Sequence, residues 1–512
     1  MNLCRSFFAQ KPKILPFPPE KAAGKHSLIF FDCPIPGIYV IIKYYLTGKR
    51  EFSGMAQESA AKLGRRTDVD MTQGSIFRHM VEFALPLLAG NIFQQLYNMV
   101  DTWVVGNYVS SEAFSAVGSV GPVVNTLIGF FGGLASGAGA VISQYYGAKD
   151  EDRVQDTVHT AALMTLLLGV LFTGIGIGFT PFMLRLMNTP AEVMGDASTY
   201  LYIYFAGVMG LMVYNMGSGI LRAVGDSRRP FYFLLVCAVL NTVLDLYFVL
   251  VLHMGVEGVA LATIIAQFIS AILVVVILMR SSSCVRLYPR RLKLHAEMLR
   301  KIILVGLPAG LQMAITSFSN VFVQSYINFF GTSGMSGWTV FTKVEQLRIL
   351  PIQSLSIACT TFAAQNLGAR QTERANKGVR IAVGMALVCI SAITVLAVIF
   401  APGIAAFFNS DPDVVHYGSL LLRCITPFGL LSCVNQIFSG ALRGAGNSRA
   451  SMIIMLSSFV VFRQIYLFIM SRVCNQFIPI ALGYPAGWAM CCLLMLLYYK
   501  HVGLSRNTLA AS

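Results

Sequence analysis

Long apolar stretches separated by short polar loops recur along most of this chain, about twelve in all. Each is long enough for a helix, which rises 1.5 Å per residue, to cross the roughly 30 Å hydrocarbon core of a membrane. Charged residues make up only 12% of the 512 residues, against about 25% in soluble domains. The sequence therefore predicts an all-α polytopic membrane protein. The predicted spans cover residues 84–106, 114–142, 158–180, 198–220, 230–252, 256–279, 302–329, 334–362, 380–401, 414–438, 452–471 and 478–499.

Basic residues cluster in every second loop between these spans. Lys149, Arg222 and Arg370 stand in such loops, whereas the loops on the opposite side carry almost none, with Arg185 and Arg472 as exceptions. Because cytoplasmic loops are enriched in Lys and Arg, the pattern predicts a multi-pass protein of the cell (inner or plasma) membrane with both termini cytoplasmic. It also accounts for the net charge of +15 without a nucleic-acid partner.

Cysteine and histidine give no sign of a metal or redox site. The 11 cysteines include no metal-type Cys-x-x-Cys pair and lie mostly in apolar segments, and the seven histidines are scattered. Such cysteines are typical of small core hydrophobes rather than disulfides or ligands. The spans also lack a nucleophile–base pair, so the sequence predicts no enzyme and no resident cofactor.

Residues 1–70 differ from the remainder of the chain. Their apolar run, Ser27–Leu46, contains two prolines and two charged residues, which make it a poor spanning helix. It also lacks a small-residue cleavage site. We expect a poorly ordered cytoplasmic extension, with Met71 a more natural start of the chain, and a cytoplasmic tail at 501–512.

Three short motifs of the first half return in the second half in the same order. The motif QYYGA at Gln144 returns as QNLGA at Gln365, 221 residues later, and LRAVGDS returns as LRGAGNS at the same spacing. The Leu-Pro pair ending at Pro86 also returns. Each copy holds six spans, so the copies are parallel and related by an axis along the membrane normal. We predict two pseudo-symmetric six-helix lobes, an N-lobe (71–279) and a C-lobe (302–500), joined by a basic linker (280–301).

Paired lobes of this kind bind cargo between the halves and expose it alternately to each side of the membrane. The repeat therefore indicates a secondary transporter.

Four polar side chains lie on one face of the first span. They follow one another at steps of three, four and three: Asn91, Gln94, Asn98 and Asp101. This spacing puts them on the same side of a helix. An ionisable group at membrane depth costs roughly 2.5–3.5 kcal/mol on insertion scales, so it normally faces a cavity or a partner. The stripe predicts a lined cavity, and the alternative is a polar helix–helix contact.

The two copies differ at their buried carboxylates. Asp101 has Val323 as its counterpart, and Asn241 and Asp245, one turn apart in the fifth span, have aromatic counterparts. Burial and a neighbouring carboxylate both favour a carboxyl group that holds a proton. The same oxygens with an asparagine amide also suit a hard cation such as Na⁺. We therefore predict a site for H⁺ or Na⁺ at Asp101, Asn241 and Asp245. The alternative is that Asp245 only caps or pairs locally.

Other polar residues at membrane depth are weaker candidates. Asn125 and Asn215 suit either the same cavity or a helix–helix hydrogen bond. The seventh span carries an uncharged polar stripe: Gln312, Thr316, Asn320 and Gln324. The eighth span carries three charged residues: Lys343, Glu345 and Arg348. The i, i+3 spacing of the last two favours a structural ion pair over a functional site.

Several segments together resemble the multidrug and toxic compound extrusion (MATE) family. In chain order they are LPLLAGNIFQQLYNMVDTWVVG, ISQYYGA, LRAVGDSRRP, VLNTVLD, AAQNLGAR and LRGAGNSR. The resemblance covers about residues 71–500. It implies a V-shaped pair of six-helix lobes that exports organic cations or drugs in exchange for inward H⁺ or Na⁺.

The resemblance also implies roles for single residues. Asp101 matches the carboxylate of the family's first helix, Asn241 and Asp245 match its fifth-helix pair, and Pro86 matches the proline tied to bending of the first helix. Some members also use acidic residues of helices seven and ten for Na⁺. Here those helices offer only amides at membrane depth: Gln312, Asn320, Asn435 and Gln436. A Na⁺ site in the second lobe is therefore not predicted.

Rival functions fit less of the pattern. A flippase for lipid-linked oligosaccharides, from the same broad superfamily, would move an anionic cargo and should line its cavity with Arg and Lys. The predicted cavity is acidic and amidic instead. Paired lobes with buried titratable groups suit coupled exchange better than they suit a passive channel. We expect a monomeric antiporter whose partners are small cationic substrates and the lipid bilayer.

Overall fold

The computed structural model describes residues 68–187 and 189–504. The predicted extension up to residue 67 and the tail from residue 505 lie outside the described residues. Within the described ranges, 12 helices are long and apolar enough to cross a membrane. We number them α1 Ile76–Tyr108, α2 Ser111–Gly147, α3 Glu151–Leu186, α4 Ala191–Ala223, α5 Arg228–Val251, α6 Val256–Arg280, α7 Ala296–Asn328, α8 Gly331–Gly368, α9 Thr372–Ile399, α10 Pro412–Gly444, α11 Ser448–Val473 and α12 Phe477–Val502. The predicted all-α fold with about twelve spans is confirmed.

The helices are longer than the predicted apolar spans because their polar ends are capped. At the start of α2, the Ser110 hydroxyl accepts a hydrogen bond of 3.0 Å from the backbone N–H of Ala113. Asp150 caps α3 in the same way, accepting from the backbone N–H of Arg153. Each cap satisfies an N–H group that the first helical turn leaves unpaired. Polar residues that end an apolar run thus continue the helix beyond the membrane core.

Three helices depart from regular geometry, and two of them, α1 and α5, carry the predicted site. α5 ends in a π-helical segment, Tyr247–Val251, and α11, its counterpart in the C-lobe, contains another, Ser457–Phe462. π-Helical turns occur frequently at functional sites. α1 continues through Pro86, whose missing N–H leaves the carbonyl of Glu82 without its helical donor.

The first turns of α1 and α7 pack against the opposite lobe. Phe83 and Leu87 of α1 belong to the apolar core that α8, α9 and α10 build in the C-lobe. Ile302 and Val305 of α7 belong to the core of α2, α3, α4 and α6 in the N-lobe. Each lobe's first helix therefore begins in contact with the other lobe, which couples the positions of the two lobes.

The lobes approach each other closely where α2 crosses α7. A Cβ atom added at Gly133 would lie 2.3 Å from the backbone nitrogen of Gly310, and one at Gly137 would lie 2.2 Å from the Cα of Gly306. Side chains cannot be accommodated at such distances, so glycine is required for the helices to come this close.

A reciprocal pair of hydrogen bonds joins the lobes at the face that carries the linker. Gln144 of α2 donates to the carbonyl of Gly444 at 2.7 Å, and Gln365 of α8 donates to the carbonyl of Ala223 at 2.9 Å. Both the donors and the acceptors are 221 residues apart in sequence. The repeat seen in the sequence is therefore a pseudo-two-fold relation between two six-helix lobes.

Candidate functional site

Two carboxyl groups face each other between α1 and α5. Asp101 is half-buried and Asp245 is fully buried, and their side chains lie close enough to interact directly. The two residues are 144 positions apart in the sequence, and folding of the N-lobe brings them together. The structure thus places the two predicted carboxylates of the N-lobe at one site.

This acid pair has few donors to neutralise it. Three of its four oxygens, Oδ1 of Asp101 and both of Asp245, are buried and have no hydrogen-bond partner among the described residues. A buried ion without a partner costs several kcal/mol, and two ionised carboxylates are both acceptors, so neither can satisfy the other. A proton or a cation bound between them would remove both difficulties.

Asn241 adds a further buried oxygen without a hydrogen-bond partner among the described residues. It lies one turn before Asp245 on α5 and is only 1% exposed. Its Nδ2 donates to the hydroxyl of Thr263 on α6 at 3.4 Å, while its Oδ1 has no partner among the described residues. The donor side of the amide is thus engaged and its acceptor side is left for a proton or a cation.

Tyrosines surround the acid pair, although the sequence analysis does not select them. Tyr200 of α4 lies near both carboxyl groups, and its ring stacks on that of Tyr204 with centroids 6.3 Å apart. Tyr97 of α1 lies near Asp101. Tyrosines at helical spacing are common in helix cores. In the sequence, only the i, i+4 spacing of Tyr200 and Tyr204 could have pointed to them, because it puts two hydroxyls on one face of α4.

A cavity of about 160 Å³ lies beside this site, between α1, α4, α5 and α6. Pro86 lines it, and its polar lining residues are Asn91, Gln94, Tyr97, Tyr214, Asn215, Arg222, Gln267 and Ser270. Because Tyr97 is one turn before Asp101, the cavity ends next to the acid pair. Arg222, close to the end of α4, marks the opposite end.

The predicted stripe on α1 is only partly in this cavity. Asn91 and Gln94 line it, whereas Asn98 is exposed and is not among its lining residues. Neighbouring residues of α1 such as Met99 and Trp103 are exposed as well, because this half of the helix has fewer packed neighbours. Asn125 of α2 is likewise exposed and does not line the cavity.

Two of the lining amides also donate hydrogen bonds, but only that of Asn91 joins two helices, which is the alternative considered for both. Asn91 donates to the hydroxyl of Ser354 on α8 at 3.3 Å, across the two lobes. Asn215 donates to the carbonyl of Leu211 in its own helix at 2.9 Å.

The amides of the C-lobe are engaged differently. Asn320 accepts a hydrogen bond of 3.0 Å from Nη2 of Arg463, and Gln312 accepts one of 3.4 Å from Ser451. Arg463 is only 3% exposed and lies 4.9 Å from the ring centroid of Tyr484. The predicted cavity residues of this lobe therefore pair with α11, and the buried guanidinium of Arg463 is absent from the sequence prediction.

The charged residues of α8 form the ion pair that their spacing predicts. Arg348, whose side chain is inaccessible to solvent, bonds both oxygens of Glu345, and it donates to the carbonyl of Gly429 at 3.1 Å. Its guanidinium also lies 5.8 Å from the ring of Trp488. Lys343 is exposed.

Metal-type clusters are missing from the part of the chain that the structure describes. No group of three or more His, Cys, Asp or Glu side chains there could hold a metal ion, and the nine cysteines described are free. The oxygens of Asp101, Asn241 and Asp245, three of them buried carboxylate oxygens without a donor among the described residues, suit a proton or a monovalent cation.

Comparison with known proteins agrees with this architecture. The profile of the MatE family matches residues 86–247 and 308–469, one match in each lobe. "Probable multidrug resistance protein YoeA" of Bacillus subtilis is 31% identical to the chain over 443 residues, which cover 84% of this chain and 94% of YoeA. "Probable multidrug resistance protein NorM" of Thermotoga maritima is 27% identical, with 78% of this chain and 86% of NorM covered.

A solved structure described as the outward-facing conformation of a multidrug resistance MATE family transporter superposes with a TM-score of 0.80. It is 25% identical, and the match covers 85% of this chain and 97% of that chain. The family match in both lobes, the identity to YoeA and this shared fold lead to one conclusion: the chain is a multi-pass membrane protein that belongs to the MATE family of transporters.

Proposed function

We propose that this transporter is an antiporter that exports organic cations or drugs in exchange for inward H⁺ or Na⁺. The acid pair of Asp101 and Asp245, with Asn241 as a neutral ligand, holds the coupling ion. The observation that carries the proposal is that these carboxyl groups face each other while three of their oxygens lack a donor among the described residues.

Coupling needs a site whose affinity differs between the conformations of the transporter. An ion that binds both conformations equally well cannot shift their populations. Asp245 lies on α5 within the N-lobe, whereas Asp101 lies on α1, whose first turns pack in the core of the C-lobe. A change in the angle between the lobes therefore acts on α1 and alters the geometry of the acid pair.

Pro86 lies between these two parts of α1. The helix lacks one backbone hydrogen bond there, so it bends at a lower cost than elsewhere. We assign to Pro86 the role of a bending point that lets the Asp101 half of α1 move while the first turns stay packed.

The cavity suits a cationic substrate at the end near Asp101. Tyr97 supplies an aromatic face, to which a cation is attracted, and Gln94 supplies an amide oxygen. Arg222 at the other end would repel a cation, so it favours binding of the cationic part of the substrate beside the acid pair. Asn98, Gln312 and Asn320, which the sequence places in the cavity as well, have no lining role in this conformation.

A flippase for anionic lipid-linked sugars would call for a row of cations along the cavity. Arg222 is the single Lys or Arg among its lining residues, while Arg463 is engaged by Ser319 and Asn320 and does not line it. The antiporter is therefore the function that we propose, acting as a monomer in the cell membrane with both termini cytoplasmic.

Purified protein in liposomes tests the proposal. A fluorescent organic cation is added to liposomes in the presence and in the absence of Na⁺. Counter-movement of H⁺ should be recorded as a change of internal pH. A pH change that needs no Na⁺ identifies H⁺ as the coupling ion, and a transport rate that follows the Na⁺ gradient identifies Na⁺.

Asparagine variants locate the site. Asp101→Asn and Asp245→Asn keep the side-chain shape but cannot hold a full charge, so each should abolish ion-driven export while the protein still folds. Glu192→Gln, at an exposed acid in the first turn of α4, is the matched control and should behave like the wild type. Wild-type coupling in the Asp101→Asn, Asp245→Asn double variant would refute the site.

A further inference from the structure

A second cavity, of about 230 Å³, lies outside the coupling site, between α3, α4, α6 and the linker. Its walls are almost entirely apolar and include Ala162, Val213, Ile220 and Val275. From Val213 to Ile220 it follows α4 over about 10 Å at 1.5 Å per residue. Its length and apolar walls suit a hydrocarbon chain.

The cavity is accessible from the lipid-facing surface. Two of its lining residues, Leu166 of α3 and Met279 of α6, are 39% and 38% exposed. The residues that follow Leu166 along the outer face of α3, such as Val170, are still more exposed. A membrane helix with such a face is surrounded by lipid, so an acyl chain can enter the cavity sideways.

Linker residues close the end of the cavity near the membrane surface. Leu287, Pro289 and Leu292 line it there. Leu287 is held by a backbone hydrogen bond of 3.0 Å to Leu278, and the backbone N–H of Tyr288 donates to Nε2 of His159 at 3.1 Å. The linker is thus fixed over the cavity by α3 and α6.

Arginines are next to four of the lining residues at this end. Arg280 follows Met279, Arg286 precedes Leu287, and two more arginines lie between Pro289 and Leu292. We call these four exposed residues the arginine rim: Arg280, Arg286, Arg290 and Arg291.

Aromatic and backbone contacts orient two members of the rim. The guanidinium groups of Arg286 and Arg291 lie 5.0 and 5.2 Å from the ring centroid of Tyr288, and Arg286 also donates to the carbonyl of Met279. The sequence from residue 279 to 293 contains no Asp or Glu. Two carboxylates from other segments, Asp68 and Glu151, face the linker at Cys284, which does not line the cavity.

We propose that this cavity binds an anionic phospholipid of the leaflet on the linker side. One acyl chain occupies the apolar cavity and the phosphate binds the arginine rim. Guanidinium groups suit phosphate because they donate several hydrogen bonds in a fixed plane. The joint presence of a lipid-accessible apolar cavity and a rim of arginines carries the proposal. A free phosphate would use only the rim.

Native mass spectrometry of the purified full-length protein tests this with two probes, palmitoyl-oleoyl phosphatidylglycerol and the zwitterionic phosphatidylcholine with the same chains. The wild type should retain one phosphatidylglycerol with a preference of roughly tenfold or more, since each basic residue near an anionic surface strengthens binding by about fivefold. An excess of glycerol 3-phosphate should not displace it, because this compound lacks acyl chains.

Matched variants separate the rim from the cavity. Arg286→Gln, Arg290→Gln, Arg291→Gln together should remove the preference for phosphatidylglycerol. The control removes three exposed charges from the same face of the C-lobe, Arg370→Gln, Lys377→Gln, Arg380→Gln, and should keep the preference. Ala162→Phe, which fills the cavity, should weaken binding of both lipids, whereas Leu167→Phe, on the exposed face of α3, should not.

Equal retention of the two lipids by the wild type, or equal loss in the rim and control variants, would overturn the proposal. Displacement by glycerol 3-phosphate would assign the rim to a soluble phosphate instead. Thermal unfolding of each variant distinguishes a lost site from a misfolded protein.

Discussion

The first and fifth helices of each lobe are joined by opposite chemistry. In the N-lobe, Asp101 and Asp245 bring two carboxyl groups together between α1 and α5. In the C-lobe, Nη2 of Arg463 on α11 donates to Ser319 and Asn320 on α7 at 2.9 and 3.0 Å. A guanidinium cannot release its charge at physiological pH, whereas a carboxyl pair can exchange a proton or a cation. On the proposed function, this asymmetry gives the N-lobe an exchangeable site and the C-lobe a permanent bridge.

Removing this bridge should destabilise the protein. Arg463→Ala removes the charged donor of the buried Ser319 hydroxyl and of the Asn320 amide oxygen, at a cost of about 1.5–3 kcal/mol. Arg472→Ala removes an exposed arginine of the same helix and should change stability by less than about 0.5 kcal/mol. Thermal unfolding in detergent compares the two variants. Equal melting temperatures would show that the bridge contributes nothing.

A carboxylate introduced into the C-lobe should not restore coupling. Val323 is the counterpart of Asp101 and is 1% exposed in an apolar core. Val323→Asp would bury a charge without a second carboxylate, because the counterpart of Asp245 is Tyr466. Export by the Asp101→Asn, Val323→Asp double variant in liposomes should stay at the level of Asp101→Asn alone. Recovery of ion-driven export would show that either lobe can hold the coupling ion.

At the scale of helices, the ends of α2 and α8 cross without side chains between them. A Cβ atom at Gly368 would lie 1.9 Å from the carbonyl oxygen of Gln144, and one at Gly147 would lie 2.0 Å from that of Gln365. The same two glutamines form the reciprocal hydrogen bonds between the lobes. Close packing and hydrogen bonding therefore act together to keep the lobes closed at the linker face.

Gly368→Ala should open this crossing. The added methyl group needs a shift of more than 1 Å, and overpacking of this kind typically costs about 1–3 kcal/mol. Gly384→Ala in α9 has open space and should instead stabilise the protein by up to about 1 kcal/mol, because alanine favours a helix.

Spin labels at Asp152 and Glu373, exposed positions near the starts of α3 and α9, report the separation of the lobes. Their distance should increase in Gly368→Ala and stay unchanged in Gly384→Ala. An unchanged distance in both variants would mean that the crossing does not control closure.

At the scale of the molecule, the sequence predicts the number of spans, the repeat and the relation of the lobes. These follow from apolar runs and from motifs that recur at a constant spacing. The pairing of Asp101 with Asp245 can also be predicted from the sequence, since carboxylates in membrane helices normally face a partner or a cavity. The exposure of Asn98 and the bridge of Arg463 to Ser319 are not foreseeable. They depend on which helices become neighbours, and spacing within one helix carries no such information.

The orientation in the membrane is a prediction of the charge pattern that labelling can test. In a cysteine-free variant, Lys293→Cys in the linker should react with an impermeant reagent only after the membrane is opened. Thr332→Cys, exposed at the start of α8 on the opposite face, should react in intact cells. Replacing the nine described cysteines breaks no disulfide. Labelling of position 293 from outside the cell would refute the orientation.

The segment Val69–Gly74 joins both lobes where they close. The backbone N–H of Val69 donates to the carbonyl of Val224 in the N-lobe at 2.9 Å, and that of Met71 donates to Oε1 of Gln365 in the C-lobe at 3.0 Å. Arg374 of α9 donates to three carbonyls of the segment, those of Met71, Gln73 and Gly74. The few residues before α1 thus act as a clasp between the lobes.

A chain that begins at Met71 should insert, fold and transport like the full-length chain. It loses the hydrogen bond of Val69, worth about 1 kcal/mol, and the two that Thr72 donates to Asp70, but it keeps the contacts of Met71, Gln73 and Gly74 with the C-lobe. A chain that begins with a new methionine at Gly74 loses the contacts of Met71 and Gln73 as well, so the lobes should close less firmly and export should fall. The two truncated chains are compared with the full-length chain by membrane yield, melting temperature and export. Loss of the Met71 chain from the membrane would show that the residues before it are structural, and equal export by both truncated chains would show that the clasp does not hold the lobes.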